Sequence, residues 1–253
     1  MPGVPSTRAA DDAGFEFKVT WPPPGYLKRY ATKPQTQSQM TPPSTNLFHA
    51  TSIGDIDTVR SLIDAGADVN APDANGAGPL LSFHPPMVDY LLSNGANPDA
   101  QYNENGSSVL AGLAYVNQLD CVRLLLKHCA NADRGRDESL ETPLHHALTG
   151  NGADNCTELV QLLIDHGADV NAKTQPGVIS YNFWREARTR GETPLHRAAA
   201  FASIETIKAL LHAGANRILD VNGDSPLTWA SWHRRPRNII DLLLDHSSGD
   251  SVA

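Results

Sequence analysis

At 253 residues, one or two domains are expected. The 28 acidic and 20 basic residues leave a formal net charge of −8, which argues against non-specific binding of nucleic acid or an acidic membrane by the whole surface. Cys121, Cys129 and Cys156 form neither an even set nor a C-x-x-C pair, as in a reducing compartment. The start has no apolar leader core, and no apolar run approaches membrane-spanning length, so the cytoplasm is expected, with the nucleus as the alternative.

Residues 1–43 are rich in proline and polar side chains and read as largely extended or capping. Within them Phe15, Phe17, Val19 and Trp21 alternate with Glu16, Lys18 and Thr20, which is strand periodicity. These aromatics cap the segment that follows, offer a strand to another protein's sheet edge, or belong to a disordered stretch.

From about residue 44 the chain repeats itself. Asn46-Leu47-Phe48-His49-Ala50 precedes the apolar stripe Val59–Ile63 and then Gly66-Ala67-Asp68-Val69-Asn70. Gly78-Pro79-Leu80-Leu81 precedes Val88–Leu92 and Gly95-Ala96-Asn97; here His84-Pro85-Pro86 replaces the end of the first helix, because proline cannot continue one. Ser108-Val109-Leu110-Ala111 precedes Val122–Leu126 and Cys129-Ala130-Asn131. Thr142-Pro143-Leu144-His145 precedes Leu159–Ile164 and Gly167-Ala168-Asp169-Val170-Asn171, with an expanded turn over 149–155. Residues 172–190 then form an insertion that opens on the turn Gln175-Pro176-Gly177. Thr193-Pro194-Leu195-His196 precedes Ile204–Leu211 and Gly214, and Ser225-Pro226-Leu227-Thr228 precedes Ile239–Leu244. Each copy pairs a short first helix, opening on Thr-Pro in two of them and Ser-Pro in the last, with a second carrying an apolar stripe, and neither can bury its open face without a neighbour.

These motifs resemble the ankyrin repeat, with its T-P-L-H-x-A signature and a period of about 33 residues. The resemblance runs from about residue 44 to 246. It implies an all-α solenoid of about six helix-turn-helix repeats with short hairpin loops, bounded near 44–74, 75–103, 104–136, 137–190 with its insertion, 191–220 and 221–246, followed by a polar tail over 247–253. It implies a structural role for His49, His145 and His196 in tying neighbouring loops together, and it makes Asn70 and Asn171 hairpin residues.

No catalytic motif stands in the chain: there is no G-x-S-x-G, P-loop, H-E-x-x-H or C-x-x-C. No catalytic residue, cofactor or metal is assigned. The fold implied by the resemblance binds partners through its hairpin tips and the concave ends of its first helices. Alignment of the copies puts Tyr115, Thr149, Phe201 and Trp232–His233 there, as anchors for a partner or as surfaces packed on the insertion, where Phe183 and Trp184 would meet them. Lys173, Arg185, Arg188, Arg190, Arg197, Arg234, Arg235 and Arg237 make the C-terminal half basic on an acidic chain, which suits an acidic or anionic segment. The reading is a monomeric scaffold or adaptor that binds another protein through Tyr115, Tyr181, Trp184, Arg185, Arg190, Phe201, Trp232 and His233. The alternative is an enzyme or small-molecule binder with a pocket built by residues 172–190, in which Tyr181, Arg185 and His233 converge.

Overall fold

A computed structural model describes residues 47–72, 78–102, 106–135, 138–149, 152–180 and 188–244. All of them belong to the unit that spans 37–253. The aromatic alternation at Phe15–Trp21 and the polar tail lie outside the described residues.

Several helices start on a threonine or serine, at Ser108, Thr142, Thr193, Ser203 and Ser225. Eleven α-helices are described: α1 (Leu47–Ile53), α2 (Ile56–Asp64), α3 (Pro85–Ser93), α4 (Val109–Tyr115), α5 (Leu119–Lys127), α6 (Pro143–Ala147), α7 (Thr157–Asp165), α8 (Pro194–Phe201), α9 (Ile204–His212), α10 (Pro226–Trp232) and α11 (Arg237–Leu244). At α6 and α8 proline occupies the first turn, and the imidazole Nδ1 of His145 or His196 accepts the N–H of Thr142 (3.2 Å) or Thr193 (3.1 Å). Each ring thereby satisfies one of the donors a helix start leaves open. Its other nitrogen donates to the next repeat: His145 Nε2 to the carbonyl of Glu192 (3.3 Å), and His196 Nε2 to that of Asp224 (3.1 Å). His49 does not join this row. It is exposed on α1 while Leu47 and Ala50 are buried. Ala50 and Gly54, not His49, mark the register of repeat one, and they put Phe48 in the histidine's place.

The second repeat departs furthest. The described residues 78–84 hold turns and no helix, so the expected shortened first helix is absent. His84-Pro85-Pro86 does not end a helix but begins α3, with proline at its first positions. Leu80 and Ser82 are buried in the loop that stands in for the missing helix.

First helices pack in one row, α4 on α6, α6 on α8 and α8 on α10; second helices pack in another, α3 on α5, α5 on α7 and α7 on α9. One apolar cluster runs through both, from Leu47 to Leu243, and includes Cys121 and Cys156 as small buried hydrophobes. Burial first, then Asp120, pushes the Cys121 thiol up to about 11. The hairpins are joined side chain to backbone. Asn70 donates to the Gly95 carbonyl (3.0 Å) and accepts from the N–H of Asn97 (2.7 Å); Asn171 does the same with Gly214 (3.0 Å) and Asn216 (2.8 Å). Between them, Asp99 accepts from the N–H of Asn131 (2.7 Å) and Asp133 from that of Asp169 (2.9 Å).

The second helices of repeats one to five end on a left-handed residue. Gly66, Gly95, Gly167 and Gly214 take it at φ between 86° and 92°, but repeat three puts Cys129 there at φ 63°. A Cβ in that conformation costs about 1 kcal/mol. Cys129→Gly is therefore expected to stabilise the chain by up to about 1 kcal/mol and to raise its melting temperature by about 2–4 °C. A lowered melting temperature in a thermal scan would contradict this.

Candidate partner-binding face

Behind the face of the last three repeats lies a buried ion triad. Arg197, on α8, is fully buried, as are Glu141 and Glu192, the residues that precede each Thr-Pro-Leu-His. All five guanidinium N–H donors find acceptors. Nη2 donates to Glu141 Oε1 and Glu192 Oε1, each at 2.6 Å. Nε reaches Glu192 Oε1 at 3.2 Å, and Nη1 serves the His145 carbonyl (3.2 Å) and Thr149 Oγ1 (3.3 Å). Burial pushes both carboxyls up, but the guanidinium outweighs it and holds them well below the usual carboxylate range. Burial, reinforced by Arg197, pushes His145 down to about 3. Arg197 therefore cannot contribute to a basic surface; its charge is already spent inside.

The triad also seats the insertion. Ser180 donates to Glu141 Oε1 (2.6 Å), Thr174 to Glu192 Oε2 (2.7 Å), and the N–H of Gln175 to the carbonyl of Ser139 (2.7 Å). Ile179 and Arg188 form an antiparallel bridge at its base, beyond the turn at Pro176–Gly177. Tyr181, Trp184 and Arg185 lie outside the described residues, as does Phe183.

The same carboxylate fixes Arg190. Its backbone N–H donates to Glu192 Oε2 (2.6 Å) and its carbonyl accepts from Val221 N–H (2.9 Å). With the backbone held on both sides, the guanidinium lies 5.8 Å over the ring of Trp232. Trp229 supports the neighbouring hairpin from beneath: its indole N–H donates to Asp220 Oδ2 (3.2 Å), while Asp220 Oδ1 accepts from the N–H of Asn222 (2.9 Å) and Asp224 (3.0 Å).

Of the expected site residues, Arg190 and Trp232 form one pair and Phe201 and His233 another, with the latter rings edge to face at 4.7 Å. Burial, then Arg235, pushes His233 down. Tyr115 closes α4 in repeat three, where burial pushes its hydroxyl up. The basic cluster is thinner than the sequence implied. Arg235 donates to the Ala202 carbonyl, Arg188 to that of Gly177, and Arg237 pairs with Asp241 at 2.7 Å. Among the described residues no group of three His, Cys, Asp or Glu side chains is placed to hold a metal.

Sequence profiles for ankyrin repeats match residues 44–74, 81–174 and 178–252. The chain belongs to the ankyrin-repeat family. Its relatives include the mouse B-cell lymphoma 3 protein homolog, 30% identical over 200 residues that make up 76% of this chain and 40% of that protein. Mouse Rabankyrin-5 is 35% identical over 44% of this chain and 9% of its own length. The ankyrin repeat domain-containing protein SAT10 of Stachybotrys chartarum is 26% identical over 85% of this chain and 12% of its own length. This ankyrin array thus spans less than half the length of each of these relatives. Among solved structures, a chain in the complex of a Bdellovibrio bacteriovorus predatory endopeptidase with an immunity protein superposes with a TM-score of 0.61 at 23% identity, over 78% of this chain and 96% of that one. That likeness shows the same fold. Among the described residues no helix is long and apolar enough to cross a membrane.

Proposed function

We propose that this chain is a scaffold or adaptor whose partner docks across the first helices and hairpins of repeats four to six, centred on Arg190, Phe201, Trp232 and His233, with the insertion alongside. Ankyrin repeats are in general protein-interaction modules, and the family membership carries that much. One observation carries the location: Trp232 is 54% exposed on the last first helix, while Trp229 and Ala230 fill the core beneath. A large aromatic side chain left in solvent on a rigid support is the usual anchor of an interface. The partner presents an acidic or anionic segment, since Arg190 faces outward from this support. Tyr115 extends the same row, and Tyr181, Trp184 and Arg185 enter the reading through the sequence alone.

Affinity capture on the intact chain, followed by mass spectrometry, tests this. Trp232→Ala and Arg190→Glu are each expected to lower capture of the partner at least about tenfold without shifting the melting temperature, because neither side chain is in the core. Wild-type capture by both variants would move the site elsewhere on the array.

A further inference from the structure

We infer that the last hairpin and the last first helix form a two-part subsite for a short acidic-hydrophobic segment of a partner protein: an apolar shelf of Leu219, Val221 and Trp232, with the Arg190 guanidinium at its edge. This deepens the scaffold reading and rests on it. Leu219 is 58% exposed, Val221 63% and Trp232 54%, and they fall within one stretch that runs from the hairpin into α10. Arg190 joins two of them directly, through the backbone bond to Val221 at 2.9 Å and the ring contact with Trp232 at 5.8 Å. The hairpin is also seated closely: a Cβ on Gly191 would stand 3.2 Å from Val221 Cγ1. The shelf is therefore held from below by Trp229, Asp220 and the ion triad and adds nothing to the apolar core, which Trp229, Ala230, Ile239 and Leu243 fill. Apolar surface that is built rigidly, left exposed and rimmed by polar groups marks a contact surface.

Charge selects the occupant. The one carboxylate within 4.0 Å of the Arg190 guanidinium among the described residues is Asp224, too distant for a hydrogen bond. The fork thus keeps its donors while one face rests on the indole. Arg234, two residues beyond Trp232, is exposed and has no ion-pair partner among the described residues. The Arg190 guanidinium against an apolar shelf, with the exposed Arg234 two residues along the chain from Trp232, fits a peptide in which a leucine, isoleucine or aromatic side chain lies close to aspartate or glutamate. A nucleic-acid strand or an anionic lipid surface would call for a longer row of unpaired cations, and Arg197, Arg235 and Arg237 are already engaged.

Selection of displayed random peptides on the immobilised full chain tests this, with the enriched sequences then measured as fluorescein-labelled peptides by anisotropy. Enrichment of Asp or Glu next to large apolar residues is expected. Trp232→Ala and Arg190→Glu should each weaken binding at least about tenfold at unchanged melting temperature. Arg190→Glu should also bind the Asp→Lys form of the best peptide more tightly than the original chain does. The inference is overturned if nothing is enriched, if the enriched peptides are basic or uncharged, or if neither variant loses affinity. Each of those results leaves the scaffold reading to be decided by the capture experiment, whose own failure with every variant and with the intact chain would sink that reading instead.

Discussion

Arg197→Met is expected to destabilise the chain by about 3–5 kcal/mol and to lower its melting temperature by roughly 10 °C or more. The loss of one ion pair is not the main cost. The substitution removes the cation that serves two buried carboxylates, Glu141 and Glu192, while the Thr149 hydroxyl and the His145 carbonyl keep their bond to each other at 2.8 Å. Each carboxylate must then either stay charged without a partner or take up a proton. Urea unfolding at pH 7.5 measures the effect, and a change below about 1 kcal/mol would contradict the burial of the triad. Combining Arg197→Met with Glu141→Gln and Glu192→Gln should recover much of the loss, because no buried charge remains. The damage should also reach the proposed interface in the single variant, since Glu192 holds the backbone of Arg190.

Acid is expected to unfold the array in two stages. Burial first depresses His145 and His196, each of which uses Nδ1 as an acceptor and Nε2 as a donor, the pattern of a neutral ring. With folded values below the unfolded one near 6.5, the unfolded chain takes up these protons first. Stability is then fully present above about pH 6.5 and falls below it by up to about 1.4 kcal/mol per pH unit for each ring. Glu141 and Glu192 are also depressed in the folded state, so their contribution is present above about pH 4.5 and is lost only as pH falls further. Urea unfolding at pH 7.5 and 5.5 should differ by about 1.4 kcal/mol from His145 alone, with His196 adding in the same direction and a steeper limb below pH 4.5. Equal stability at pH 7.5 and 5.5 would mean that the two rings are charged in the fold.

The parts of the fold that depend on neighbours in sequence were legible. Thr-Pro-Leu-His encodes its own helix start, because threonine and histidine three residues apart cap one turn, and the closing glycines and leucine stripes follow from local geometry. Contacts between distant residues were harder to read. Arg197 was grouped with a basic surface because its partners lie in two different repeats. The available signal was a pattern in the motif itself: glutamate stands just before Thr-Pro in two consecutive repeats, and arginine follows the second histidine. Repeat two misled in another way. A proline pair is compatible with the end of one helix or the start of the next, and only the burial of Leu80 and Met87 around it decides between them. At the candidate site, exposed Trp232 could be aligned from sequence, but its pairing with Arg190 depends on a backbone position set by Glu192. Asn70 and Asn171 were placed in hairpins correctly, while their reach into the following repeat was not legible from either motif alone.

A photocrosslinking side chain placed at position 232, compared with one at the exposed Lys208 on the second helix α9, tests the proposed face most directly. In extract from the source cell, irradiation should join the partner to the chain labelled at 232 and leave the chain labelled at 208 free. Crosslinking from 208 with none from 232 would place the partner on the opposite row of helices and contradict the account.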